Sequence, residues 1–123
     1  MDMSNNSLDI LRSAGVDTFG ALQRFMNNEK LYKKFLLRFL DDKSMVLLTE
    51  AIKEEDMTKV LNYAHTLKGI CGNLGLLRMY EASAAIVSTI RCGKEEDVCI
   101  HFKELNSAYV EICNVIQQVK GCS

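Results

Sequence analysis

From Glu29 to Glu54 the chain carries neither Gly nor Pro, and its apolar residues recur every three or four positions. Leu31, Tyr32, Phe35, Leu36, Phe39 and Leu40 keep this spacing, and Val46, Leu47, Leu48, Ala51 and Ile52 resume it. Such a period places them on one face of a helix. The polar stretch "DDKS" at 41–44 interrupts the stripe without a strong stop signal. The pattern therefore predicts one long helix bent near Asp42, with two helices in line as the alternative. Upstream, Asp17 suits an N-cap, which predicts a short helix over about 18–26 with Phe19, Leu22 and Phe25 on its apolar side. "NNE" at 27–29 ends it, and residues 1–7 are expected to fray.

Downstream, Asp56 suits the N-cap of a helix over about 57–73, and Gly75 suits the left-handed position that ends it. A further helix runs from Leu76 to about Cys92, with Met79, Ala82, Ala85, Ile86 and Ile90 on one side and Gly93 as its stop. "KEED" opens a last helix reaching about Lys120, striped by Val98, Phe102, Leu105, Ala108, Tyr109, Ile112 and Ile116. Connections this short make neighbouring helices antiparallel. The predicted fold is all-α: an antiparallel up-and-down four-helix bundle with a short N-terminal capping helix, one domain over residues 8–121.

Composition supports this reading and removes several functions. The 123 residues contain no proline, the residue that breaks helices, while 48% are hydrophobic and 25% charged. A net charge of −1 with no basic stripe argues against nucleic acid and anionic membrane as partners. No apolar run approaches the length of a membrane-spanning helix, and no signal-peptide pattern opens the chain, so the cytoplasm is expected. Five cysteines, an odd number without CxxC spacing, give no zinc pattern and are expected to be reduced thiols acting as small apolar residues. Glu54–Glu55 and Glu95–Glu96–Asp97 sit at helix ends, where acids are stabilising, and are read as solvated charge. His101 is read as surface or margin.

The chemistry gathers around "AHTLKGICGNLG" at 64–75. With successive residues turned by about 100°, Val60, Tyr63, Leu67, Ile70, Cys71 and Leu74 fall opposite His65. His65 then faces water. Gly69 and Gly72 lie four and seven residues on, above His65 on the same face. Two glycines inside a helix cost about 2 kcal/mol relative to alanine, and a solvated face has no packing reason to accept that. Close approach of another molecule is such a reason. Lys68 brings a cation to the edge of this face, Leu61 adds an apolar group, and Met57 lies near the margin. An exposed imidazole is a nitrogen nucleophile suited to neutral pH. The pattern describes a bare platform for docking a protein and handling an anion.

"AHTLKGICGNLG", continued by "LLRMYEASAAI", resembles the histidine-containing phosphotransfer (HPt) domain. His65, Leu67, Lys68, Gly69, Gly75 and Met79 fit the family's pattern in order. "GVDTFGALQRFMNNEKLYKKFLLRFLDD" is similar to the family's usual N-terminal half, and "AIKEEDMTKVLNYAHTLKG" to its approach to the histidine. In one departure, "ASAAIVSTIRCG" lacks the glutamate that members often carry late in the helix after the motif; its neighbourhood has only Glu81, near the start.

The resemblance implies a four-helix bundle with the histidine exposed mid-helix. It implies that His65 accepts a phosphoryl group from an aspartyl phosphate on one receiver domain, through Nε2, and passes it to an aspartate on another. Lys68 would offset negative charge or assist docking. Gly69 would keep the approach open, a role given to Gly72 on the helical argument alone. Leu61 and Met57 would belong to the docking rim. No phosphate loop or kinase signature is present, so no autonomous kinase activity is expected. The chain would bring no cofactor, and Mg²⁺ would come from the receiver. The expected partners are response-regulator receiver domains, those of hybrid histidine kinases included. A monomer is expected, and a chain that begins with Met without a kinase segment is expected to be free-standing. The alternatives are a receiver-docking adaptor without phosphotransfer, and a phospho-acceptor domain serving a chemotaxis-type histidine kinase.

Overall fold

The structure, a computed structural model, describes Met3 and residues 5–122. Its order is α1 (Asn5–Ser13), α2 (Thr18–Arg24), α3 (Glu29–Phe39), α4 (Ser44–Lys53), α5 (Met57–Leu74), α6 (Leu77–Arg91), a 3-10 turn (Glu95–Asp97) and α7 (Val98–Gly121). Among the described residues there is no strand, and the chain is all-α. No helix among them is long and apolar enough to cross a membrane.

The predicted helix boundaries rest on local chemistry. The Asp17 carboxylate accepts from the Gly20 amide at 3.0 Å, and Asn28 accepts from Leu31 at 3.0 Å. Asp56 accepts from Lys59 at 3.2 Å. Each satisfies an amide that the first helical turn leaves without a partner. Gly75 adopts φ +75°, and the Leu76 amide reaches back to the Cys71 carbonyl at 2.9 Å. Gly93 does the same for α6, with Lys94 donating to Thr89 at 2.9 Å. These are Schellman ends, which turn the chain sharply enough for the next helix to pack back.

Two expectations need correction. Residues 5–7, expected to fray, belong to α1, which begins at Asn5; of the others covered by that expectation, residues 1, 2 and 4 lie outside the described ones. Two asparagines make "NNSLDILRS" a weak helix by propensity. What holds it is packing: Leu8 and Leu11 are buried, and α1 lies against α7. The single long helix over 29–54 is instead α3 and α4. The Asp42 carboxylate accepts from the Ser44 amide at 2.8 Å, giving the backbone a local alternative to the helical bond.

One contiguous core runs through the molecule, with Tyr32, Leu36, Leu48, Leu67, Leu76, Met79, Ile86, Leu105 and Ile116 fully buried. α5 packs most extensively on α6, then on α4, and α6 packs on α7. The N-terminal third has a further task. Arg24 donates to the Asn73 carbonyl at 3.3 Å, Tyr32 to Leu74 at 2.8 Å, and the Asp17 amide to Gly75 at 2.9 Å. These carbonyls end α5 and lack partners within it. α2 and α3 thus clamp the C-terminal end of the helix that carries the site.

Candidate functional site

His65 lies exposed near the middle of α5, as its spacing predicts. The buried stripe of α5 is Val60, Ala64, Leu67, Cys71 and Leu74. Its centre falls about 140° from His65 at 100° per residue. Tyr63 and Ile70, expected in the core, are half-buried. The stripe is rotated toward α6 because α6 is the most extensive neighbour of α5.

That rotation gives His65 two unlike flanks. On the side away from α6 stand Asn62, Thr66 and Gly69, all exposed. The Thr66 hydroxyl donates to the Asn62 carbonyl of its own helix at 3.1 Å. A Cβ added at Gly69 would meet nothing within 4 Å. The space above Gly69 is open, as the clearance argument requires.

On the α6 side lie Lys68, Leu61, Met57 and Gly72, all half-buried. Leu61 and Met57 pack against the core with part of their surface left at the edge. Gly72 needs correction. It does not bare the face: a Cβ there would stand 3.3 Å from Cδ1 and Cε1 of Tyr80, so the glycine makes room for a ring of its own chain. Lys68 Nζ lies 6.0 Å from the centroid of the same ring. Lys68 takes part in none of the salt bridges among the described residues, which join Arg12–Asp9, Lys59–Glu54 and Arg78–Glu111. Tyr80 escaped sequence reasoning because it sits on the exposed side of α6, outside any apolar stripe.

A groove of about 440 Å³ opens farther along α5, where Ile70, Asn73 and Leu74 face Phe25, Phe35 and Phe39. The Arg38 guanidinium stacks over Phe35 at 5.4 Å. Phe35, expected in the core, is 39% exposed here, and Phe19 on α2 is 71% exposed. The aromatic spacing of α3 is the signal that could have found this groove, but core and groove share the same period.

The remaining candidates divide by environment. All five cysteines are free. Cys71 alone is fully buried, and burial pushes its thiol up to about 12, with the Asp42 charge acting in the same direction. Cys92 and Cys99 are exposed, so acting as an apolar residue describes Cys71 and not those two. His101 is half-buried on α7. Among the described residues no three His, Cys, Asp or Glu side chains are grouped as a metal site would need.

Set beside known proteins, residues 36–121 match the family model described as the Hpt domain. No curated protein and no solved structure matches the chain.

Proposed function

Because the chain belongs to the Hpt domain family, whose business is histidine phosphotransfer in phosphorelay signalling, we propose that His65 is the residue that carries the phosphoryl group. The observation behind this is the exposed imidazole standing beside the open space over Gly69, with Lys68 one turn on. A receiver domain bearing an aspartyl phosphate docks on this face. The Nε2 lone pair attacks phosphorus, the bond from phosphorus to the aspartyl oxygen breaks, and the carboxylate leaves with its electron pair. The reverse step delivers the group to an aspartate on a second receiver.

Little covalent equipment is needed, since phosphoryl transfer depends on positioning and on stabilising spread negative charge. The chain contributes a fixed nucleophile, clearance at Gly69 and the cation of Lys68. Leu61 and Met57 supply apolar edge to the docking surface. Mg²⁺ would come from the acidic pocket of the receiver. The module has no kinase activity of its own and acts as a monomer in the cytoplasm, where receivers work.

The same proposal includes the antiparallel arrangement of a four-helix bundle. Its support is pairwise. Phe39 meets Tyr109 at 6.0 Å while Lys33, earlier in α3, reaches the Cys122 carbonyl at 3.0 Å, so α3 and α7 run opposite ways.

The deciding experiment labels the protein with an isolated receiver charged by acetyl phosphate. Wild type takes up phosphate on histidine, and His65→Gln takes up none while keeping its helical circular dichroism. Undiminished labelling of His65→Gln would give the acceptor role to another residue. Receiver binding without labelling of wild type would leave a docking adaptor.

A further inference from the structure

We propose that Tyr80 is a positioning residue for Lys68: its ring holds the ammonium at the edge of the His65 face, and Gly72 is the seat that lets the ring lie there. This rests on the phosphotransfer role of His65 argued above.

Three observations converge. First, the place of Tyr80 is set by rigid structure. The Schellman turn at Gly75 and Leu76 launches α6, and the Tyr80 amide donates to the Leu76 carbonyl at 2.9 Å. Its neighbour Met79 is fully buried and locks the first turn of α6 to the core. Side chains of a helix lean toward its N-terminus, which carries the Tyr80 ring back over α5.

Second, the ring lies close over α5 at Gly72. A Cβ at position 72 would sit 3.3 Å from two ring carbons, tighter than ordinary contact. Gly69 has only open space above it, so the two glycines do different work. Gly72 accepts its cost in helix propensity to seat a ring of this chain.

Third, the seated ring faces a cation. Lys68 Nζ stands 6.0 Å from the ring centroid, at the limit of cation–π attraction. A free lysine stem has large rotamer freedom, and ordering it at the moment of transfer slows the step. A carboxylate partner would also order it, but would neutralise the charge. An aromatic face orders the ammonium and leaves its positive charge available to the incoming phosphoryl oxygens.

The test is a double-mutant cycle read by single-turnover transfer from a saturating, acetyl-phosphate-charged receiver. Tyr80→Phe keeps the ring and is expected to transfer within about twofold of wild type. Tyr80→Leu is expected to slow transfer about 2- to 5-fold, the range that an exposed cation–π contact supplies. In a Lys68→Ala background, Tyr80→Leu should add nothing. A loss that persists in that background means Tyr80 acts on the receiver directly, and overturns the proposal, as does a Tyr80→Leu rate equal to wild type. Independently of any variant's folding, the Lys68 ε-methylene protons of wild type should show an upfield ring-current shift by NMR; its absence also overturns the proposal. Failure of wild type to label at all, or labelling of His65→Gln, would instead refute the acceptor role beneath it.

Discussion

The Tyr32 hydroxyl donates to the Leu74 carbonyl at 2.8 Å, and both residues are buried. Leu74 is the last residue of α5, so its carbonyl has no partner inside the helix. Burial raises the Tyr32 phenol well above its usual range, which keeps it a donor at any working pH. Tyr32→Phe removes the donor and strands a buried acceptor, at a cost of about 1–3 kcal/mol. Chemical denaturation should read that loss. Because the clamp lies about two and a half turns along α5 from His65, transfer rates measured well below the melting temperature should change little.

Gly75 is bound by two constraints at once. Its φ of +75° lies in the left-handed region, and a Cβ there would run into the Asp17 carbonyl oxygen. That oxygen is backbone and cannot swing aside. Gly75→Ala should therefore destabilise by about 2–4 kcal/mol, combining left-handed strain with overpacking. A melting temperature within a few degrees of wild type would contradict both causes.

Gly69 should behave in the opposite way. It sits inside α5 with open space where a Cβ would go. Gly69→Ala should raise stability by about 1 kcal/mol, the propensity difference. Gly69→Gln should keep the fold and weaken receiver binding, because its side chain projects into the space the partner needs. An unchanged Kd for Gly69→Gln in a titration with the receiver would sink the clearance argument.

The parts of this molecule that could be read from sequence are those decided within one helical turn. Asp17, Asp56, Gly75 and Gly93 act within a few residues of themselves, and their predicted roles match the structure. The outward direction of His65 followed from the period of α5 alone. What escaped depends on neighbours distant in the chain. α1 is held by burial of Leu8 and Leu11 beside α7, which a local reading of "NNSLDILRS" cannot see. The break at 40–43 is the exception, a local one: it rests on the Asp42 carboxylate choosing the Ser44 amide two residues on, in a stretch with no Gly or Pro to mark it. The meeting of Gly72 with Tyr80 needs the crossing of α5 and α6, so two glycines on one helix face looked alike until α6 was placed.

The thiol of Cys71 makes the core sensitive to alkali. Burial, with a smaller contribution from the Asp42 charge, pushes it from a usual 9.0 up to about 12. The unfolded chain loses this proton near its usual value, while the fold retains it. Below about pH 9 both states are protonated and the stability from this site is whole. From there to about pH 12 the unfolded state binds fewer protons, so stability falls as pH rises, by at most about 1.4 kcal/mol per pH unit for one group. Cys71→Ala removes the titration, although loss of the buried sulfur lowers stability at neutral pH. Urea midpoints at about pH 8 and about pH 10 separate the two effects. Wild type should lose about 1 kcal/mol more than Cys71→Ala between them. Tyr32 and Tyr109, also raised by burial in the fold, lower stability in the same direction once the unfolded chain ionises near their usual 10.0, but they remain in both proteins, so parallel losses would show that the buried thiol is not the cause.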